Sequence, residues 1–80
     1  MGLDLIPPDI ARVELDKLLC RLYGEAAVSA SRTEQRQPLL RALAARLGFS
    51  SERVCAVYYG RRTIRQTTMQ KWRVTCGYPG

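Results

Sequence analysis

Gly60-Arg61-Arg62-Thr63-Ile64-Arg65 places three guanidinium groups within six residues. Each guanidinium is a planar, permanently charged fork of N–H donors whose geometry suits a phosphate or the edge of a guanine. The cluster lies in an uneven field. The chain has 80 residues and a formal charge of +6. Residues 1–25 sum to −2, with Asp4, Asp9, Glu14, Asp16 and Glu25 against Arg12, Lys17 and Arg21. Residues 26–80 sum to +8, with nine arginines and Lys71 against Glu34 and Glu52. A GC-rich genome would account for a preference for arginine over lysine, but not for this segregation of sign. The chemistry on offer in the C-terminal two thirds is anion binding.

Bond-making chemistry has little to work with. There is no histidine, and Cys20, Cys55 and Cys76 are too widely spaced for a CxxC pair. That excludes Cys/His zinc sites and Cys–His nucleophiles. Carboxylates are few and no glycine-rich phosphate loop is present, so no catalytic residue, metal or cofactor is expected. An odd number of scattered cysteines fits a reducing cytoplasm, each thiol acting as a small apolar filler. No apolar run approaches ~18 residues, so no membrane span is expected. The start MGLDLIPPDI lacks the basic lead and apolar core of a signal peptide.

The elements that must hold the arginines follow from periodicity. Residues 1–80 read as one domain, and 46% hydrophobic residues suffice for a globular fold. A core of this size supplies only a few kcal/mol of net stability, so a dimer or tight helix packing would help. Residues 1–8 read as an extended lead-in ending in Pro7-Pro8. Asp9 caps a helix to about Tyr23, with Ala11, Leu15, Leu18 and Leu22 at helical spacing and Leu19 beside them; Gly24 stops it. The acidic outer face of this helix suits packing behind other elements or pairing with a second subunit. Glu25 to Ser31 is weakly patterned and reads as a loop, and Ser31 and Glu34 have capping-box spacing.

Pro38 opens a helix to Leu47, Gly48 takes the left-handed conformation, and Ser50 or Ser51 caps a helix to Tyr59 that Gly60 ends. The tail fits two patterns. Trp72, Val74, Cys76 and Tyr78 alternate as in a strand, whereas Met69, Trp72 and Cys76 share a helical face with Thr67 or Thr68 as cap. A helix around 67–75 makes the domain mainly all-α, with about four helices. A hairpin of 62–65 with 71–76 makes a winged version with a short C-terminal β element.

Leu40 to Tyr59, LRALAARLGFSSERVCAVYY, resembles the helix-turn-helix of phage repressors and Cro-like regulators. That family wants a small residue at its fifth place, glycine at its ninth and a branched apolar residue at its fifteenth; here these are Ala44, Gly48 and Val54. Its four further apolar places are met by Leu43, Leu47, Phe49 and Val57. Ala44 lets the two helices approach, Gly48 turns the chain, and the others form the shared core.

The resemblance implies a small, sequence-specific DNA-binding regulator of transcription, of phage or mobile-element type, associated with the nucleoid. It would act on double-stranded DNA as a homodimer, by repression through promoter occlusion or by bending. The base-reading residues so implied are Ser50, Ser51, Glu52, Arg53, Cys55, Ala56 and Tyr59, on the outward face of the second helix. Arg61, Arg62 and Arg65 would meet the sugar–phosphate backbone or enter the minor groove, and Arg36 and Gln37 would meet phosphate at the start of the first helix. Tyr58 and Trp72 read as core aromatics. A different class remains open: a protein-interaction module, as small phage proteins can be, that binds and inhibits a host protein or nuclease complex.

Overall fold

Pro7 and Pro8 set the entry to the first helix, because proline lacks the N–H that a helix start leaves unbonded and already has helical φ. The computed structural model describes residues 4–30 and 35–78. Helix α1 spans Pro8–Tyr23 with Pro7 at the cap, so the expected cap Asp9 lies instead in the first turn, where its charge complements the helix dipole. Ala11, Leu15, Leu18 and Leu19 form its buried stripe. Gly24 ends it at φ 93°, its N–H bonded to the Cys20 carbonyl at 2.9 Å.

Glu25–Ala30 form a six-residue helix, α2, where a loop was expected. It buries only Val28, so its sequence carries no helical stripe to be read. The Ser31–Glu34 spacing lies outside the described residues.

Helix α3, Gln37–Leu47, buries Leu40, Leu43 and Ala44. It starts one residue before the expected Pro38, which occupies its first turn. Gly48 is left-handed at φ 77°, ψ 23°, and its N–H reaches the Ala44 carbonyl at 2.9 Å. Helix α4, Ser51–Tyr58, follows with Ser50 as its cap, the Ser50 Oγ accepting from the Arg53 N–H at 3.2 Å. Val54, Cys55, Val57 and Tyr58 are buried.

The tail is a helix, as one of the two expectations had it. Helix α5 runs Gln66–Thr75 and buries Met69 and Trp72. Its cap is Arg65, not a threonine, and it has no side-chain cap bond. The hairpin of 62–65 with 71–76 does not form, since 71–75 lie in α5. Strand β2, Ile64–Arg65, instead pairs antiparallel with β1, Leu5–Ile6, in the register Leu5 with Arg65 and Ile6 with Ile64. The lead-in is thus part of the fold, and Ile6 and Ile64 both join the core.

The domain is mainly helical, with five helices and one two-stranded sheet among the described residues. One core runs from Ile6 to Cys76, with Trp72 meeting Phe49 edge-on at 5.2 Å between ring centroids. No described helix is long and apolar enough to cross a membrane.

Candidate nucleic-acid interface

The α3–turn–α4 unit is built by the seven apolar and small residues of the motif. Ala44 and Leu43 of α3 and Val54 and Val57 of α4 are buried in the one core, and the two helices pack on each other. Leu47 and Phe49 are half-buried at the edge. With these side chains turned inward, the first turn of α4 faces outward. Ser50, Ser51, Glu52 and Arg53 are all exposed. The Arg53 guanidinium lies 5.3 Å from the Phe49 ring centroid, a cation–π contact that holds a positive charge beside the turn.

A cleft of about 200 Å³ separates the start of α3 from α4. Gln37 and Arg41 line it from α3, Ser51, Glu52 and Cys55 from α4, and Arg61 from the segment after α4. Five residues named for two separate roles, Gln37 and Arg61 for phosphate and Ser51, Glu52 and Cys55 for bases, therefore share one concavity. Arg41 was not among the sequence candidates. It lies one turn after Gln37 on the same helix, and the i, i+4 spacing is the clue that identifies it.

Cys55 does not stand on the outward face as expected. It is 5% exposed, at the floor of the cleft. Burial pushes its thiol pKa up, against a smaller downward pull from Arg41 and Arg61, so it is a neutral apolar wall at neutral pH. Ala56 is half-buried. Tyr59 is half-buried too and turns toward α1, lining a different groove with Pro8 and Asp9. The outward face of α4 is therefore narrower than a seven-residue reading surface.

Comparison with known proteins adds no relative. No family model, curated protein or solved structure matches the chain.

Arg36 departs furthest from expectation. It was expected at phosphate, but it points inward. Its Nη1 donates to the Tyr58 hydroxyl at 2.7 Å and to Asp16 Oδ1 at 3.1 Å, and its Nη2 donates to the Val28 carbonyl at 3.1 Å. The Tyr58 hydroxyl donates in turn to Asp16 Oδ1 at 2.7 Å. The bond to Tyr58 is the main cause that holds the guanidinium pKa above its ordinary value. Arg36 is a clamp joining α1, α2 and α4 at the entry to α3, not a surface cation.

Arg61, Arg62 and Arg65 are exposed. Gly60, at φ 78°, turns the chain after α4, and the Arg61 N–H bonds the Ala56 carbonyl at 2.8 Å. The Arg61 guanidinium sits 5.9 Å from the Tyr59 ring centroid. Pairing of β2 with β1 fixes Arg65 in the register at the head of α5. The three cations are thus hung between two anchored elements, α4 and the small sheet. No cluster of metal-ligating side chains is present among the described residues.

Proposed function

We propose that the protein is a small sequence-specific DNA-binding regulator of transcription, of phage or mobile-element type. It acts on double-stranded DNA as a homodimer through promoter occlusion or bending. The observation that carries this reading is the left-handed Gly48 between α3 and α4, with the exposed turn Ser50–Arg53 on one side of a cleft that Arg41 and Arg61 flank. Such a unit presents a short helix to a major groove and cations to the phosphates on either side.

Roles divide by chemistry. Ser51 and Glu52 reach base edges, Glu52 as an acceptor for the cytosine amino group. Arg53 reaches a base or a phosphate. Gln37, Arg41, Arg61, Arg62 and Arg65 neutralise phosphates and set the salt dependence.

A selection from a random duplex library at near-physiological salt tests the reading. The expected result is an enriched site, palindromic with half-sites about ten base pairs apart. Binding with no enrichment, weak and salt-sensitive only, overturns it.

A second reading has one observation in its favour. With Cys55 buried and Tyr59 turned toward α1, few side chains remain to distinguish one base from another. A module that docks its basic face on a host protein or nuclease complex, and inhibits it, needs no base reading. Failure of the selection combined with a specific host partner would favour that class.

A further inference from the structure

Ion pairs within the fold engage some of its cations and leave others. Glu14 pairs with Lys17 and Arg73, and Asp16 pairs with Arg36. Arg41 and Arg61 make no ion pair with a described residue, although both line the same cleft as Glu52. The cleft therefore holds two guanidinium groups and one carboxylate, and it is positive on balance.

The two cations come from different elements, Arg41 from α3 and Arg61 from the segment that Gly60 turns after α4. They bear on one point nonetheless. Cys55 is the buried floor of the cleft. Burial raises the pKa of its thiol, and Arg41 and Arg61 both pull it down. The thiol stays neutral, so the floor offers no charge against an anion.

Size and donor geometry select that anion. About 200 Å³ is below the roughly 300–1,000 Å³ of pockets that enclose a small molecule, so the cleft admits one group and not a whole effector. A carboxylate is planar, and one arginine fork satisfies both of its oxygens. A phosphate is tetrahedral, and its free oxygens diverge, so guanidinium groups arriving from two elements each find one. Gln37 and Ser51 add an amide and a hydroxyl donor at the same cleft. The exposed Arg62 and Arg65 continue the positive charge past Arg61, which suits a chain of phosphates and not a single ion.

We infer that the cleft is a seat for one phosphodiester of the DNA backbone, held jointly by Arg41 and Arg61. Glu52 subtracts from the attraction. The seat rests on the DNA-binding reading for the source of its phosphate, and deepens that reading by giving two arginines a single shared group.

The first test uses the whole chain with no duplex present. Arginine Nε–H signals are followed by NMR as a thymidine dinucleotide with one phosphodiester, inorganic phosphate or acetate is added. The Arg41 and Arg61 signals are expected to move together along one saturating curve for the dinucleotide, and far less for acetate. Glu52→Gln is expected to tighten the dinucleotide about threefold, because a like charge leaves the seat. Unmoved signals overturn the inference. Acetate as effective as the dinucleotide assigns the cleft to a carboxylate of a protein partner, and binding of inorganic phosphate alone assigns it to a free ion; either result overturns the inference as well.

The second test uses a duplex with no selected site, so base reading does not enter. Arg41→Ala with Arg61→Ala is expected to flatten the slope of log K against log salt by about 0.9, the value of one phosphate. A loss near ~1.8 gives each arginine a phosphate of its own and overturns the shared seat, as does an unchanged slope. No binding to any duplex takes the backbone away from the seat and overturns it too. Arg41, Glu52 and Arg61 are exposed, so the variants are expected to fold as the wild type does. A chain that seats the dinucleotide and binds duplex without an enriched site keeps the seat and loses the sequence-specific reading. An enriched site with unmoved Arg41 and Arg61 signals does the reverse.

Discussion

The Tyr58 hydroxyl donates to Asp16 Oδ1 at 2.7 Å, tying the last residue of α4 to the middle of α1. The same oxygen accepts from Arg36 at 2.7 Å, and Arg36 also grips the Val28 carbonyl of α2. One phenol thus holds the orientation of the proposed reading helix against two other helices. Tyr58→Phe keeps the buried ring and removes only these bonds. Hydrogen bonds to charged partners contribute about 1.5–3 kcal/mol, and the partly exposed Asp16 puts this pair at the low end. The expected loss is about 1.5 kcal/mol, seen as a fall in Tm of roughly 6–12 °C. An unchanged melting curve would mean that the three groups are not coupled in solution.

The same phenol makes stability fall at alkaline pH. Burial raises the Tyr58 pKa first of all, and Asp16 adds to the rise while Arg36 opposes it. A group with a raised folded pKa keeps its full contribution below its unfolded value and loses it as pH rises through the folded one. For tyrosine that window opens near pH ~10. Cys55 and Cys76 are shifted the same way by burial and begin to contribute near ~8.5–9. Urea titrations from neutral to alkaline pH should show falling stability, and Tyr58→Phe should flatten the part above pH ~10. Parallel curves for the two proteins would remove Tyr58 as the cause.

Gly48 tests the turn without any packing change. A Cβ built there meets nothing within 4 Å, so only backbone strain opposes a side chain. At φ 77° the expected cost of Gly48→Ala is about 1 kcal/mol, and a β-branched valine should cost more. The ordering Gly, Ala, Val in urea midpoints is the result to look for. A valine variant as stable as the wild type would place the turn elsewhere.

Arginines of opposite fate should separate cleanly in salt titrations with a selected duplex. Arg61→Ala with Arg62→Ala should weaken binding to every sequence and flatten the slope of log K against log salt by about one unit per lost phosphate contact. Stability should change little, because both side chains are exposed. Arg36→Ala should do the reverse, losing stability through Asp16, Tyr58 and Val28 while leaving the salt slope of the folded fraction unchanged. A slope that drops with Arg36 would return that residue to the phosphate backbone.

The local elements were legible because their causes are local. The stripe Ala11, Leu15, Leu18 makes α1, the stops at Gly24 and Gly48 lie where no other residue accepts positive φ cheaply, and Ser50 caps α4 through an atom three residues from its donor. Two elements were not legible. Helix α2 has no stripe, burying Val28 alone, and takes a bond from Arg36 eight residues away. The β1–β2 pairing joins Leu5–Ile6 to Ile64–Arg65, strands of two residues each, too short for any alternation to register.

The candidate site divides the same way. That Ser50–Arg53 and Arg61–Arg62 stand outside follows from charge and from the apolar residues beside them. Whether a given side chain faces solvent or a neighbouring helix depends on which helices close over it. Cys55 is buried in the cleft it shares with Arg41 and Arg61, Tyr59 lines the groove beside α1, and Arg36 bonds Asp16, Tyr58 and the Val28 carbonyl of α2. Residues within one or two turns of one another set α1, α3, α4 and the Gly48 turn, and composition set the sign of the field. Tertiary structure alone decided which arginines are clamps and which are free to meet an anion, because that depends on partners 20 or more residues distant.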